Sequence, residues 1–181
     1  MTVFKRYADL VARLRVPSGF ALAVTFASLS DPTPASIAAG LPLGIAGLLV
    51  RAWATGHLEK NIRLAQSGPY AYVRNPLYLG TALVAAGLVI ASRRWALAAL
   101  FAVVFVLVYL PVIELEEQHL RSLFPEFTAY ARAVPSLYPR WGFASPEQSF
   151  RWDLYWRNRE YQALLGFLAA VAFLIGKILY P

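Results

Sequence analysis

Five long apolar runs constrain the fold of this chain more than any other feature of its sequence. The runs cover residues of about 16–29, 35–55, 76–92, 95–113 and 163–180. A helix that crosses the hydrocarbon core of a bilayer needs about 20 apolar residues, or fewer where flanking side chains reach the headgroups. The runs therefore predict an all-α, polytopic membrane protein with about five transmembrane helices.

The first and third runs are the shortest of the five, and a very short link joins the third run to the fourth. Such a link predicts that these two helices form a tight hairpin. No internal repeat or second domain is evident, so we expect one membrane-embedded domain over residues 1–181. We also expect the first run to be retained as a span, although basic residues precede it as in a secretory signal.

The composition excludes several classes of function. Hydrophobic residues make up 59% of the chain and charged residues 15%, which is too apolar for an ordinary soluble domain. The net charge is +7, but the basic residues are scattered between apolar runs, so we predict membrane lipids rather than nucleic acid as the partner. With no cysteine and 2 histidines, disulfides, thiolate nucleophiles and Cys- or His-rich metal sites are excluded.

The basic residues also predict the orientation in the membrane. If the N-terminus lies inside, only Arg93, Arg94 and Lys177 fall outside. Because basic residues accumulate on the cytoplasmic side, we expect the N-terminus and the polar motifs to face the cytoplasm, in the inner cell membrane.

One long polar stretch, residues 114–161, separates the fourth run from the fifth. Its first part is typical of a cytosolic amphipathic helix, with Leu120, Leu123 and Phe127 on one side. Pro125 predicts a new helix start, since proline suits the first helical turn. Aromatic and basic residues then alternate over 150–161, as expected for a segment in the headgroup layer.

Asn75 and Pro76 predict where the third helix begins, because asparagine is a good N-cap and proline is favoured just after it. The free amides of that helix start, with Arg74 beside them, could bind an anion. Alternatively, Asn75 only caps the helix and Arg74 reaches the lipid phosphates.

Two carboxylates, Glu116 and Glu117, follow the fourth run. They could hold a cationic or hydroxyl-bearing ligand, or Glu117 could simply pair with Arg121 one helical turn later. Glu116 and His119 also have a spacing found in metal sites, but a di-metal site needs a second copy of the motif. We therefore predict no metal site.

These motifs occur in an order that resembles a known family. The order is His57-x-x-Lys60, Leu64, Gly68-Pro69-Tyr70, Arg74-Asn75-Pro76-x-Tyr78-x-Gly80, an apolar hairpin, Glu116-Glu117, Phe124, Tyr130, Val134-Pro135 and Pro139. It resembles the isoprenylcysteine carboxyl methyltransferases and the related phospholipid N-methyltransferases, in their bacterial branch. The resemblance covers about residues 50–140 and leaves out the C-terminal segment 148–181.

The resemblance implies a membrane enzyme that binds S-adenosyl-L-methionine at the cytosolic face. The residues that it assigns to the cofactor are Leu64, Ala65, Gly68, Tyr70, Asn75, Pro76, Tyr78 and Glu116. The candidates for a catalytic role are Glu117, Arg74 and His57, and none of them is singled out as the general base.

Two departures from the family pattern bear on the substrate. Asn75 stands where isoprenylcysteine enzymes usually carry histidine, and Val112 stands where they carry an arginine that handles the substrate carboxylate. We therefore expect a lipid or small lipophilic acceptor with an amine or thiol, rather than a prenylcysteine carboxylate. The alternatives are a nicotinamide-dependent lipid enone reductase of related fold and a non-catalytic membrane protein. The acceptor's identity and the oligomeric state stay open.

Overall fold

Every regular element in the computed structural model of the chain is helical within residues 3–143 and 148–180, the part that the structure describes. Within these ranges, side chains are described at residue 13 and from residue 17 onward. The α-helices are α1 (Val3–Leu29), α2 (Pro34–Thr55), α3 (Pro76–Ser92), α4 (Trp95–Leu123), α5 (Phe127–Ala133), α6 (Trp152–Arg157) and α7 (Tyr161–Leu179), with a 3₁₀ turn at Gly68–Ala71. The predicted all-α class is confirmed.

Three described helices are long and apolar enough to cross a membrane: α2, α4 and α7. Two shorter apolar helices, Pro17–Leu29 and α3, accompany them. These are the runs that the sequence marks as the shortest. The chain is a polytopic membrane protein.

Contacts between helix ends define two ends of the bundle. At one end the Asp31 amide donates to the Ser92 carbonyl at 2.9 Å, and the Lys177 ammonium donates to the Ser30 carbonyl at 2.7 Å. At the other end Arg51, near the end of α2, pairs with Glu160, just before α7. Successive apolar helices therefore run in alternating directions, and the ends of α2 and α4 meet the starts of α3 and α7.

Glycines bring α2 and α3 into backbone contact. A Cβ placed on Gly87 would lie 2.6 Å from the Gly44 nitrogen and 2.7 Å from the Gly40 oxygen, and one on Gly47 would lie 2.6 Å from the Gly80 oxygen. Small residues at such spacing are typical of close helix pairs in membranes. The predicted hairpin link between α3 and α4 is present, but the closest packing of α3 is against α2.

The fourth run does not end near residue 113 as predicted, because α4 continues to Leu123 and includes the amphipathic part. A π-helical turn at Phe105–Tyr109 interrupts its α-helical bonding just before Pro111. A proline ring clashes with the carbonyl four residues earlier, here that of Leu107, and the wider turn relieves this clash. The predicted helix start at Pro125 is also wrong, since Pro125 lies in a turn and α5 begins at Phe127.

Candidate active site

A cavity of about 910 Å³ opens where the ends of α2 and α4 meet the starts of α3 and α7. Of the 11 predicted site residues, 9 line it: Leu64, Ala65, Tyr70, Arg74, Asn75, Pro76, Tyr78, Glu116 and Glu117. They come from the segment after α2, the 3₁₀ turn, the start of α3 and the last turns of α4. The chain leaves this end along α3 and returns to it along α4. This brings residues 68–80 next to Glu116 and Glu117.

His57 and Gly68 are the two predicted site residues that do not line the cavity. The His57 ring is buried beneath Gly68, where an added Cβ would lie 2.6 Å from the ring, and Gly68 has a positive φ of 58°. His57 Nδ1 lies 3.0 Å from the Ser67 hydroxyl, which donates to Gln148. Burial lowers the pKa of His57, and the charge of Arg63 lowers it further. His57 thus supports the turn from outside, and the geometry does not place it for catalysis.

Arg74 and Glu117 form a bidentate ion pair, with Nη2–Oε2 at 2.8 Å and Nε–Oε1 at 3.1 Å. The remaining guanidinium nitrogen, Nη1, donates to the carbonyls of Ala131 and Val134. Because every nitrogen of Arg74 has a protein partner, the predicted anion site would require this pair to open. The alternative pairing of Glu117 with Arg121 is wrong, since Arg121 lies over the Phe127 ring instead.

Asn75 precedes α3 as predicted, but its side chain does not cap the helix. Its amide donates to Glu117 Oε1 at 2.7 Å and to the Ser136 hydroxyl at 3.0 Å, and Ser136 also donates to Glu117. Glu117 therefore accepts from Arg74, Asn75 and Ser136. This network ties α3 to α4 and to the turn after α5.

Glu116 is next to Glu117 in the chain but about 100° around the helix from it. Its carboxylate accepts a hydrogen bond from the Tyr78 hydroxyl at 2.9 Å. Tyr78 is buried and packs edge-on against Tyr109, with ring centroids 6.0 Å apart. Glu116 is exposed and lines the cavity, so Tyr78 orients a carboxylate that a ligand can reach.

Tyr70 is a buried member of the cavity lining, and its carbonyl accepts from the Tyr130 hydroxyl at 2.7 Å. Burial raises the pKa of Tyr70 far above its usual value, and the neighbouring Tyr130, Glu116 and Glu160 raise it further. Its hydroxyl is therefore neutral at ordinary pH.

Sequence reasoning did not single out several lining residues, among them Arg51, Asn158 and Glu160. Arg51 pairs with Glu160 through two bonds, of 2.6 and 3.0 Å, and donates to Thr81. Arg51 carries a signal that could have identified it, since an arginine near the end of an apolar run is costly unless it has a partner. Nothing in the local sequence around Asn158 and Glu160 marks them as residues of the cavity.

The cavity suits a nucleoside-sized ligand in its volume and chemistry. Pockets for drug-sized ligands measure about 300–1,000 Å³ and combine apolar walls with a few polar groups. Leu64, Ala65 and Pro76 are apolar, and Glu116 suits a cationic or hydroxyl group. Among the described residues, no group of three His, Cys, Asp or Glu side chains could hold a metal ion.

A family profile described as phospholipid methyltransferase matches residues 40–126. The chain is similar to the phospholipid methyltransferase family over this segment, which is just under half of its length. The segment contains residues 68–80, the pair Glu116-Glu117 and the helices that bring them together. The predicted resemblance is therefore confirmed. Elements α5–α7, with Asn158 and Glu160, lie beyond the part that matches this methyltransferase family.

Two curated relatives are named for metal resistance. The cobalt-zinc-cadmium resistance protein CzcN of Cupriavidus metallidurans is 39% identical over 106 residues, which cover 55% of this chain and 49% of CzcN. The nickel-cobalt-cadmium resistance protein NccN of Alcaligenes xylosoxydans xylosoxydans is 34% identical over 119 residues, which cover 62% of this chain and 56% of NccN. The chain spans about half the length of these relatives. No solved structure matches it.

Proposed function

We propose that this protein is an integral-membrane methyltransferase that uses S-adenosyl-L-methionine. The observation that supports this most directly is the convergence in one cavity of Leu64, Tyr78 and Glu116, which the family resemblance assigns to the cofactor. These residues come from three separate segments of the chain. Their convergence around an exposed carboxylate is expected of a ligand-binding site.

Different residues of the cavity bind the cofactor and orient the side chains that bind it. S-adenosyl-L-methionine, when bound, supplies an electrophilic methyl group. Glu116, oriented by Tyr78, accepts hydrogen bonds from a cationic or hydroxyl group of the ligand. A nucleophile held in line with the methyl group needs little further assistance.

Neither Glu117 nor His57 is placed to remove a proton from the acceptor. Glu117 is held by Arg74, Asn75 and Ser136, and His57 lies outside the cavity lining. Their geometry favours an acceptor that arrives ready to react, as a neutral amine or a thiolate. In this proposal the Arg74–Glu117 pair positions the start of α3 and is not a proton relay.

Val112 supports a lipophilic acceptor. It is buried, it lines the cavity, and it packs with Tyr78 and Val108. This position is apolar where isoprenylcysteine enzymes carry an arginine. We therefore propose that a lipid or small lipophilic amine or thiol enters from the bilayer, at the cytoplasmic side of the inner membrane.

Cofactor retention tests the proposal. Purified protein in detergent should bind tritiated S-adenosyl-L-methionine and should not bind NADPH. Binding of NADPH alone would indicate the enone reductase, and binding of neither would indicate a non-catalytic protein. Labelled methyl groups added with total membrane lipids would then identify the acceptor.

Competition among acceptors tests the substrate class. Phosphatidylethanolamine or a long-chain alkylthiol should take labelled methyl groups in preference to farnesylated cysteine. Efficient formation of a base-labile methyl ester on farnesylcysteine would contradict the proposed preference.

The names of the relatives suggest a biological setting for the same chemistry. If this chain also contributes to metal tolerance, we propose that it does so through methyl transfer. Tolerance restored to a deletion strain by the wild-type protein should then be lost with Glu116→Gln. Equal tolerance with both proteins would separate metal resistance from the proposed reaction.

A further inference from the structure

The segment of residues 148–160, here called the C-terminal strap, packs against the end of α2 beside the cavity. The Arg151 amide donates to the Gly56 carbonyl at 3.0 Å, and the Arg151 guanidinium donates to Glu59 at 2.9 Å. The Phe150 ring lies so close to Gly56 that no side chain would fit there. The strap lies outside the segment that matches the methyltransferase family.

Asn158 of the strap has an amide whose orientation is fixed by its partners. Its Nδ2 lies 3.0 Å from the Leu58 carbonyl and 3.3 Å from the Thr55 carbonyl. Carbonyl oxygens only accept, so the donating NH₂ group must face them, and the amide cannot be flipped without losing both bonds. The acceptors are the carbonyl of Thr55, the last residue of α2, and that of Leu58 just beyond the helix, so the bonds hold Asn158 against the end of α2.

This orientation leaves the Asn158 oxygen available. Within residues 3–143 and 148–180 no donor bonds to Oδ1, while the half-buried side chain lines the cavity. Glu160, the other strap residue in the lining, differs because both of its oxygens bind Arg51. Asn158 is thus the strap residue that offers a fixed hydrogen-bond acceptor to a ligand.

We propose that Asn158 Oδ1 accepts a hydrogen bond from bound S-adenosyl-L-methionine, an inference that rests on the proposed function. Leu58, to which Asn158 is bonded, begins the segment that carries the predicted cofactor residues Leu64 and Ala65. The partner must be a donor group of the ligand, either an amino group or a hydroxyl. Together with Glu116 on α4, Asn158 gives the cavity acceptors on two separate elements.

Equilibrium binding of tritiated S-adenosyl-L-methionine tests this contact. Asn158→Ala should bind about 10-fold more weakly than the wild-type protein, as expected for one lost hydrogen bond. Arg151→Ala is the matched control, because it removes another anchor of the strap but does not line the cavity, and its affinity should be close to that of the wild type. Thermal unfolding in detergent establishes that both variants are folded.

Cofactor analogues separate a direct contact from a structural effect. Analogues of S-adenosylhomocysteine that lack the α-amino group, the adenine amino group or one ribose hydroxyl should each bind the wild-type protein more weakly. An analogue that lacks the one group that Asn158 contacts should bind Asn158→Ala no more weakly than S-adenosylhomocysteine itself does. Equal losses in both proteins for every analogue, or unchanged affinity in folded Asn158→Ala, would overturn the contact. If the wild-type protein binds no S-adenosyl-L-methionine, both the contact and the proposed function are wrong.

Discussion

The neighbouring carboxylates Glu116 and Glu117 have different surroundings and should respond differently to the same substitution. The side chains of Arg74 and Glu117 are only 14% and 7% exposed, so Glu117→Gln leaves a largely buried guanidinium without its carboxylate. Losing one partner of such a pair costs about 3 kcal/mol. We expect a clear fall in the thermal unfolding midpoint for Glu117→Gln and little change for Glu116→Gln. Equal midpoints would contradict the proposed role of the ion pair.

Glu116→Gln should instead affect binding. The substitution removes a charge-assisted hydrogen bond to the ligand, and we expect the affinity for S-adenosyl-L-methionine to fall by about 1–3 kcal/mol. Isothermal titration of the folded variant measures this change. Full affinity would mean that Glu116 is only a solvated carboxylate.

His57 should make stability depend on pH. Because burial lowers its pKa in the folded protein below the usual 6.5, the unfolded chain binds the proton more tightly. The folded state is therefore most stable above about pH 6.5. It loses stability as the pH falls from 6.5 towards the lowered pKa of His57. Midpoints at pH 7.5 and 5.5 should therefore differ more for the wild type than for His57→Gln. The same difference in both proteins would show that another group is responsible.

At the scale of the helices, the glycine contact between α2 and α3 should be intolerant of even one methyl group. Gly87→Ala would place its Cβ against backbone atoms of Gly40 and Gly44, which cannot move aside as a flexible side chain can. We expect a loss of about 1–3 kcal/mol in stability. Gly166→Ala in α7 is the matched control, because nothing lies within 4 Å of its added Cβ. The control should be unchanged or slightly more stable, since alanine favours helices.

Local sequence predicted some helix boundaries well and others poorly. The start of α3 follows from Asn75-Pro76, because proline fixes the backbone of the first helical turn. The local sequence did not predict that α4 continues past residue 113, because Pro111 and the glutamates are typical of a helix end. The π-helical turn that accommodates Pro111 is a response to crowding inside the helix.

At the scale of the whole molecule, the orientation in the membrane remains a prediction and can be tested in a chain without cysteine. Ala96 and Ser122 are exposed near opposite ends of α4, separated by roughly 40 Å along the helix. Ser122→Cys should react with a membrane-impermeant thiol reagent from the cytoplasmic side, and Ala96→Cys from the opposite side. The reverse pattern would contradict the orientation inferred from the basic residues.

The candidate site was predictable where its residues belong to a compact motif. Tyr78 and Glu116 could be assigned to one site because the intervening apolar hairpin must return to the same membrane surface. The pairing of Arg74 with Glu117 was not predictable, because it depends on how α3 and α4 are rotated. Asn158 and Glu160 bond to residues of α2 or just after it, about 100 positions earlier in the chain, and a single sequence carries no signal of such contacts.

The paired charges around the cavity have a consequence for ionic strength. The lining contains four basic residues, Arg51, Lys60, Arg63 and Arg74, and four acidic ones, Glu59, Glu116, Glu117 and Glu160, so its formal charge is zero in a chain that carries +7. A cavity whose charges are paired and sum to zero exerts little net attraction or repulsion on an approaching ion, so there is little for salt to screen. Added salt should therefore hardly change the affinity for a ligand in the cavity, while it weakens the attraction of the basic surface to anionic lipids.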